Sequence, residues 1–184
     1  ASFTLNLSGN IRFEIRKTDG SANRLNIDDF TLVDYGTGGG GGGGGTAKKF
    51  LFDASQGETA GNADWVIDQD NSTPQRIPTP LQSTITSSTG ETYWTGGISA
   101  WGIALAKQGH TVETLPSTGS ITYGSTTNAQ DLSRYDVFVV DEPNIRFTTA
   151  EKTAILNFVN NGGGLVMIGN QSGSDRNSDG WDAP

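Results

Sequence analysis

Cysteine is absent from the 184 residues, and histidine and methionine occur once each. The chain therefore has no disulfide, no thiolate metal ligand and no thiol nucleophile. With His110 as the single imidazole, the usual zinc ligand sets are excluded as well. Basic residues are scarce too, 12 against 20 acidic ones, for a net charge of −8. That deficit argues against nucleic acid, whose binding rests on lysine and arginine neutralising phosphates, and against an anionic membrane surface. It suits cations, calcium above all. No run approaches the ~20 apolar residues a membrane span needs. A hydrophobic share of 33% is low for a packed globule, so a sizeable part of the chain reads as loop or tether.

What is abundant is glycine, 26 residues, together with serine, threonine and asparagine. The length accommodates one full domain or a domain plus a fragment. The chain opens at Ala1 with no methionine and no signal peptide, the expectation for a processed or excised form. Asn6, Asn71 and Asn170 head N-x-S/T sequons, which an Asn/Ser/Thr-rich composition also produces by chance.

Residues 3–7 (FTLNL) and 11–15 (IRFEI) alternate apolar and polar with period two, and residues 24–35 return to a strand pattern. Residues 1–35 thus predict a small antiparallel, partial β-sandwich. A sheet this small needs a second layer over its apolar face, supplied by other sequence or by another molecule. Residues 36–46 contain eight consecutive glycines, Gly38 to Gly45, and read as a flexible linker.

From residue 47 to 184 the pattern becomes α/β. Lys48 to Ala54 is an apolar run ending in Asp53, the signature of a buried parallel strand. Residues 55–97 are polar with little periodicity. Ile98 to Gln108 predicts a helix with Ile98, Ala100, Trp101, Ala104 and Leu105 on its buried face and Gly109 as its stop. His110 to Leu115, Asp136 to Asp141 and Leu165 to Ile168 predict three further strands. Thr148 and Glu151 form a capping box, which opens a helix buried through Ile155, Phe158 and Val159 and closed by Gly162. Alternation in this order implies a parallel sheet with right-handed crossovers.

The segments "KKFLFD", "ISAWGIALAKQGHTVETL", "LSRYDVFVVDEPN" and "FTTAEKTAILNFVNNGGGLVMIG" resemble the class I glutamine amidotransferase-like superfamily, ThuA-like proteins in particular, over Lys48 to Gly173. The resemblance implies a flavodoxin-like, three-layer parallel α/β fold. "GNIRFEIRKTDGSANRLNIDDFTLVDY" resembles the closing strands of jelly-roll modules on secreted bacterial enzymes of Bacteroidetes type, which implies a secreted, extracellular or cell-surface protein. The chain departs from the catalytic pattern. The turn after the last strand, Gly169-Asn170-Gln171-Ser172-Gly173, has neither the nucleophilic cysteine nor a Gly-x-Ser-x-Gly elbow. Glutaminase chemistry is not expected.

Two groups of residues carry potential chemistry. Asp175-Arg176-Asn177-Ser178-Asp179-Gly180 matches the start of a calcium loop, with oxygens from Asp175, Asn177, Asp179 and the Trp181 carbonyl. Asp182 partly replaces the bidentate acid of a complete loop, and the competing reading is an acidic surface turn. Asp53 and Asp141 end parallel strands at the edge where α/β sheets bind ligands. With Glu142, Asn144 and Asp64 nearby in sequence, they predict carboxylates that hold a metal, share a proton or merely cap helices. His110 is expected to bond the carbonyls ending the preceding helix. Tyr93 and Trp94 lie in a polar loop where aromatics stack on carbohydrate or plug the core. Three functional expectations follow: a non-catalytic domain for binding or structural work, stabilised by calcium; a metal-dependent hydrolase of an extracellular substrate; and a homo-oligomer assembled through the N-terminal strands.

Overall fold

The chain divides into two units, Ala1–Gly45 and Thr46–Pro184. The computed structural model describes residues 46–59, 64–169, 173 and 175–181. The expected N-terminal strands, nearly all of the glycine linker, Asn6, Asn170, Ser172 and Asp182 lie outside the described residues.

Four strands, β1 (Lys49–Asp53), β2 (Thr111–Leu115), β3 (Val137–Asp141) and β4 (Gly164–Ile168), form one all-parallel sheet in the order β2-β1-β3-β4. Alternation along each strand sends side chains to opposite faces. Phe50, Phe52, Val112 and Val139 pack on one face under helix α1 (Ser99–Lys107). Leu51, Phe138, Val140 and Leu115 pack on the other under helix α2 (Thr149–Asn160). Connections thus pass over different faces, and the strand order reverses between β1 and β3. Among the described residues no helix is long and apolar enough to cross a membrane.

α2 forms as the sequence predicts. Thr148 and Glu151 close a reciprocal capping box, and Ala154, Ile155 and Phe158 are buried. The buried face of α1 differs from expectation: Ser99, Gly102, Ile103 and Leu105 are buried, whereas Ala100 and Ala104 are exposed. Gly102 is the reason. A Cβ there would lie 3.0 Å from both Ile67 Cγ2 and Trp94 Cζ3, so the helix seats its glycine against the loop below. Trp101 packs edge-on against Phe52, with ring centroids 5.2 Å apart, as expected of the helix's inner side.

The long polar stretches are ordered around carboxylates. Asp68 accepts from Thr79 N (2.8 Å), Thr95 N (3.2 Å) and Thr95 Oγ1 (3.1 Å). Trp94 is 1% exposed and donates Nε1–H to Pro80 O at 2.8 Å, so it is core and closed to sugar stacking. The β2–β3 connection carries no α-helix, only a 3₁₀ turn at Leu132–Arg134, and Asp131 holds it together.

β2 is an edge strand, and several of its outward backbone groups are already taken. Gln82 accepts from Val112 N at 3.0 Å and donates to His110 O, and Thr114 N donates to Arg76 O at 2.9 Å. A side-chain amide here substitutes for a neighbouring strand and blunts the edge. Gln82→Ala is expected to cost about 1–2 kcal/mol, from two lost hydrogen bonds to part-buried groups, and to increase self-association. Urea denaturation with light scattering checks this; unchanged stability and a monodisperse monomer would count against the edge-capping role.

Candidate functional site

The carboxyl ends of β1 and β3 lie where the strand order reverses, the position at which open α/β sheets bind ligands. Two clusters occupy it, one at each strand end, tied together by the loop after β3.

The first is built by the turn after β1. Asp53 Oδ1 accepts from Ser55 N (2.9 Å) and Ser55 Oγ (2.7 Å), which bends the chain directly after the strand. Gly57, at φ +79°, lets the turn come back on itself. Glu58 thereby reaches inward, and its Oε2 accepts from Gln56 N at 2.9 Å. Asp53 and Glu58 are 2% and 0% exposed, and the two carboxyls act directly on each other. Burial, more than any other cause, pushes both carboxyls up, Asp53 to about 6 and Glu58 to about 9, and the Asp53 charge adds to the shift of Glu58. Gln56 Nε2 donates to Glu151 Oε1 at 3.1 Å, joining the turn to the start of α2.

The second cluster surrounds the end of β3. Asp141 is 6% exposed, and burial first, then the Glu142 charge, raises its carboxyl to about 7 against the lowering effect of Arg176. Glu142 sits at φ +48°, a left-handed conformation that costs a non-glycine residue about 1 kcal/mol or more. The conformation presents both its carboxylate and its carbonyl to one guanidinium: Arg176 Nη1 is 2.6 Å from Glu142 Oε2 and Nη2 is 2.8 Å from Glu142 O. This pair is largely desolvated and bidentate.

Asp53 and Asp141 end adjacent strands, as the sequence predicts, but they do not form a pair. Alternation puts Asp53 on the face of Leu51 and Asp141 on the face of Val139, so the sheet separates them. Asp64 is apart from both, accepting from Gln69 Nε2. His110 bonds the end of α1 as expected, through its backbone N–H to Leu105 O, while its ring Nδ1 accepts from Lys48 N at 3.2 Å and lies against Phe50.

The 175–181 loop is held by its own side chains. Asp175 accepts from Asp179 N (3.1 Å) and Gly180 N (2.8 Å), Asn177 Oδ1 accepts from Asp179 N (3.1 Å), and Asp179 Oδ1 accepts from Trp181 N (2.8 Å). Besides Arg176, the loop is fastened by Asn177 Nδ2 donating to Asn144 O at 2.7 Å and by the Arg146 guanidinium 5.7 Å from the Trp181 ring centroid. Asn144 N and Ile145 N in turn donate to Gln56 O at 2.6 and 2.8 Å. The loop after β3 is therefore the hub on which both other loops are hung. Among the described residues no three acidic or imidazole side chains converge as a metal cage. The 175–181 loop offers a different donor set of two carboxylates, one amide and a backbone carbonyl.

No family model, curated protein or solved structure matches this chain. Gln56, Glu58 and Arg176 are members of the site that sequence patterning overlooks. A signal for Glu58 exists: an acid five residues after a strand-ending Asp, across Ser and Gly, is what a tight return turn requires. Arg176 carries no such mark, because its partner lies 34 positions away.

Proposed function

We propose that this chain is a non-catalytic α/β domain, flavodoxin-like and amidotransferase-like in type, that does binding or structural work within a secreted modular protein. Its N-terminal residues supply jelly-roll strands, and calcium fastens its 175–181 loop to the carboxyl edge of the sheet. The observation that carries the reading is that loop. Asp175, Asn177 and Asp179 turn their oxygens onto the loop's own backbone N–H groups, and Arg176 anchors the loop to Glu142. Oxygen donors at alternate positions suit a hard cation tolerant of irregular geometry, and magnesium, which demands a strict octahedron, fits less well.

The non-catalytic part rests on the absence of cysteine and of a serine elbow, and on the separation of Asp53 from Asp141 by the sheet. That separation weighs against the hydrolase reading, which paired Asp53 with Asp141.

With two carboxylates and no bidentate acid among the described donors, calcium should bind at the extracellular end of the range, ~10⁻⁴ to 10⁻³ M. At ten times the dissociation constant, mass action stabilises the fold by about 1.4 kcal/mol. Thermal melts in calcium against chelator are expected to show this gain in the wild type and not in Asp175→Asn. Equal responses in the two proteins would leave the loop as an acidic surface turn.

A further inference from the structure

The Asp53–Glu58 contact has an uneven hydrogen-bond distribution. One oxygen of each side chain is fully engaged, Asp53 Oδ1 by the Ser55 N–H and hydroxyl and Glu58 Oε2 by Gln56 N–H. The other two, Asp53 Oδ2 and Glu58 Oε1, are buried and meet no donor. Two buried carboxylate oxygens left this way are strongly disfavoured if both groups are ionised. A single proton placed between them satisfies both at once.

We propose that Asp53 and Glu58 form a one-proton latch that holds the turn of residues 55–58 across the β1–β3 switch point, and that loss of this proton releases the turn. The latch closes the site because the turn is the acceptor for the loop after β3: Gln56 O takes both Asn144 N–H and Ile145 N–H. Gln56 and Asn144, 4% and 2% exposed, thereby fill the crevice in which a ligand of such a sheet would lie. The charged groups acting on the pair are its own two members and Glu151, at the start of α2, whose charge raises Asp53. All three are acidic, so among the described residues the groups acting on the pair include no cation to compensate a second negative charge. Glu151 already accepts from Gln56 Nε2, Thr148 N and Thr148 Oγ1. A metal ion in place of the proton has no third acidic ligand among the described residues.

The direction of the pH effect follows from the raised carboxyl. Glu58 titrates at about 9 in the folded protein against 4.5 when exposed. The latch contributes its full stability below the exposed value and loses it as pH rises towards 9, because the folded state keeps a proton that the unfolded chain has released. Asp141, raised to about 7, behaves the same way at lower pH, so the latch is isolated between pH ~7.5 and ~8.5.

Urea denaturation of the whole chain across this window tests the latch, with Glu58→Gln as the variant. Glutamine keeps the shape, the acceptor for Gln56 N–H and a donor for Asp53 Oδ2, but cannot titrate. In the wild type the unfolding constant should rise close to tenfold per pH unit, the value for one proton, and in Glu58→Gln it should stay flat. Hydrogen exchange at Gln56, Asn144 and Ile145, normalised to the intrinsic rate, should accelerate above pH ~9 in the wild type only. Equal slopes in the two proteins would overturn the latch. So would a wild-type slope abolished by calcium, since a cation would then fill the pair. Neither result depends on whether calcium binds the 175–181 loop.

Discussion

Asp131→Ala is expected to destabilise the α/β unit by roughly 3–5 kcal/mol, among the largest effects of any single substitution here. The carboxylate is fully buried and accepts five hydrogen bonds, from Thr122 Oγ1 (2.6 Å), Ser133 Oγ (2.6 Å), Ser125 N (2.8 Å), Gly124 N (2.9 Å) and Ser133 N (3.1 Å). Alanine strands those donors in a segment with no α-helix to order it. The damage would spread, because Ile121 and Leu132 of the same segment belong to the core beneath α2. An asparagine side chain would keep one acceptor oxygen, so Asp131→Asn should lose about half as much. Burial opposes ionisation of Asp131, yet the hydroxyl and backbone donors outweigh it and hold the carboxyl well below the usual carboxylate range. Its stability contribution is therefore present at neutral pH and lost as pH falls through the folded value. Urea denaturation at pH 7 and an acid titration check both statements. A loss under about 1 kcal/mol, or an acid transition unchanged in the alanine variant, would show that the segment is ordered by something else.

Trp94→Ala is expected to cost about 3–5 kcal/mol, the usual penalty for emptying a buried aromatic site. The indole is 1% exposed, packs against Gly102 of α1 and belongs to the core formed with Phe52, Ile67 and Ile103. Trp94→Phe retains most of the volume and forfeits only the Nε1–H bond to Pro80 O, for about 1 kcal/mol. A sugar-stacking tryptophan behaves differently: its alanine variant would fold with undiminished stability and lose only carbohydrate binding. Denaturation midpoints of the three proteins separate the two roles. Tyr93, half-buried with its hydroxyl 2.9 Å from Thr84 Oγ1, is the member of that pair still able to meet a ligand.

Within the described residues of the α/β unit, the amino-acid sequence by itself determined the strands, the two α-helices and their stops. Apolar runs of strand length between glycine- and proline-rich turns leave few alternatives, and the Thr148–Glu151 capping box is a local interaction that forms in any context. The parallel arrangement followed from alternation of the elements. The placement of Asp53 and Asp141 at strand ends was also legible, as was the likeness of 175–181 to a calcium loop.

Only the tertiary structure decided what those residues meet. One-residue differences in register put Asp53 and Asp141 on opposite faces, and periodicity within one strand carries no information about its neighbour's register. Burial turned the Tyr93-Trp94 loop inward, because Gly102 opens room for an indole that α1 alone does not announce. Asp131 and Asp68 look like ordinary loop acids in the sequence; their roles arise from donors that come together only when the connections cross the sheet. The proton-sharing pair belongs to the same class. A carboxyl group's affinity for its proton is set by the desolvation and charge around it, and both exist only once the chain has closed over Glu58.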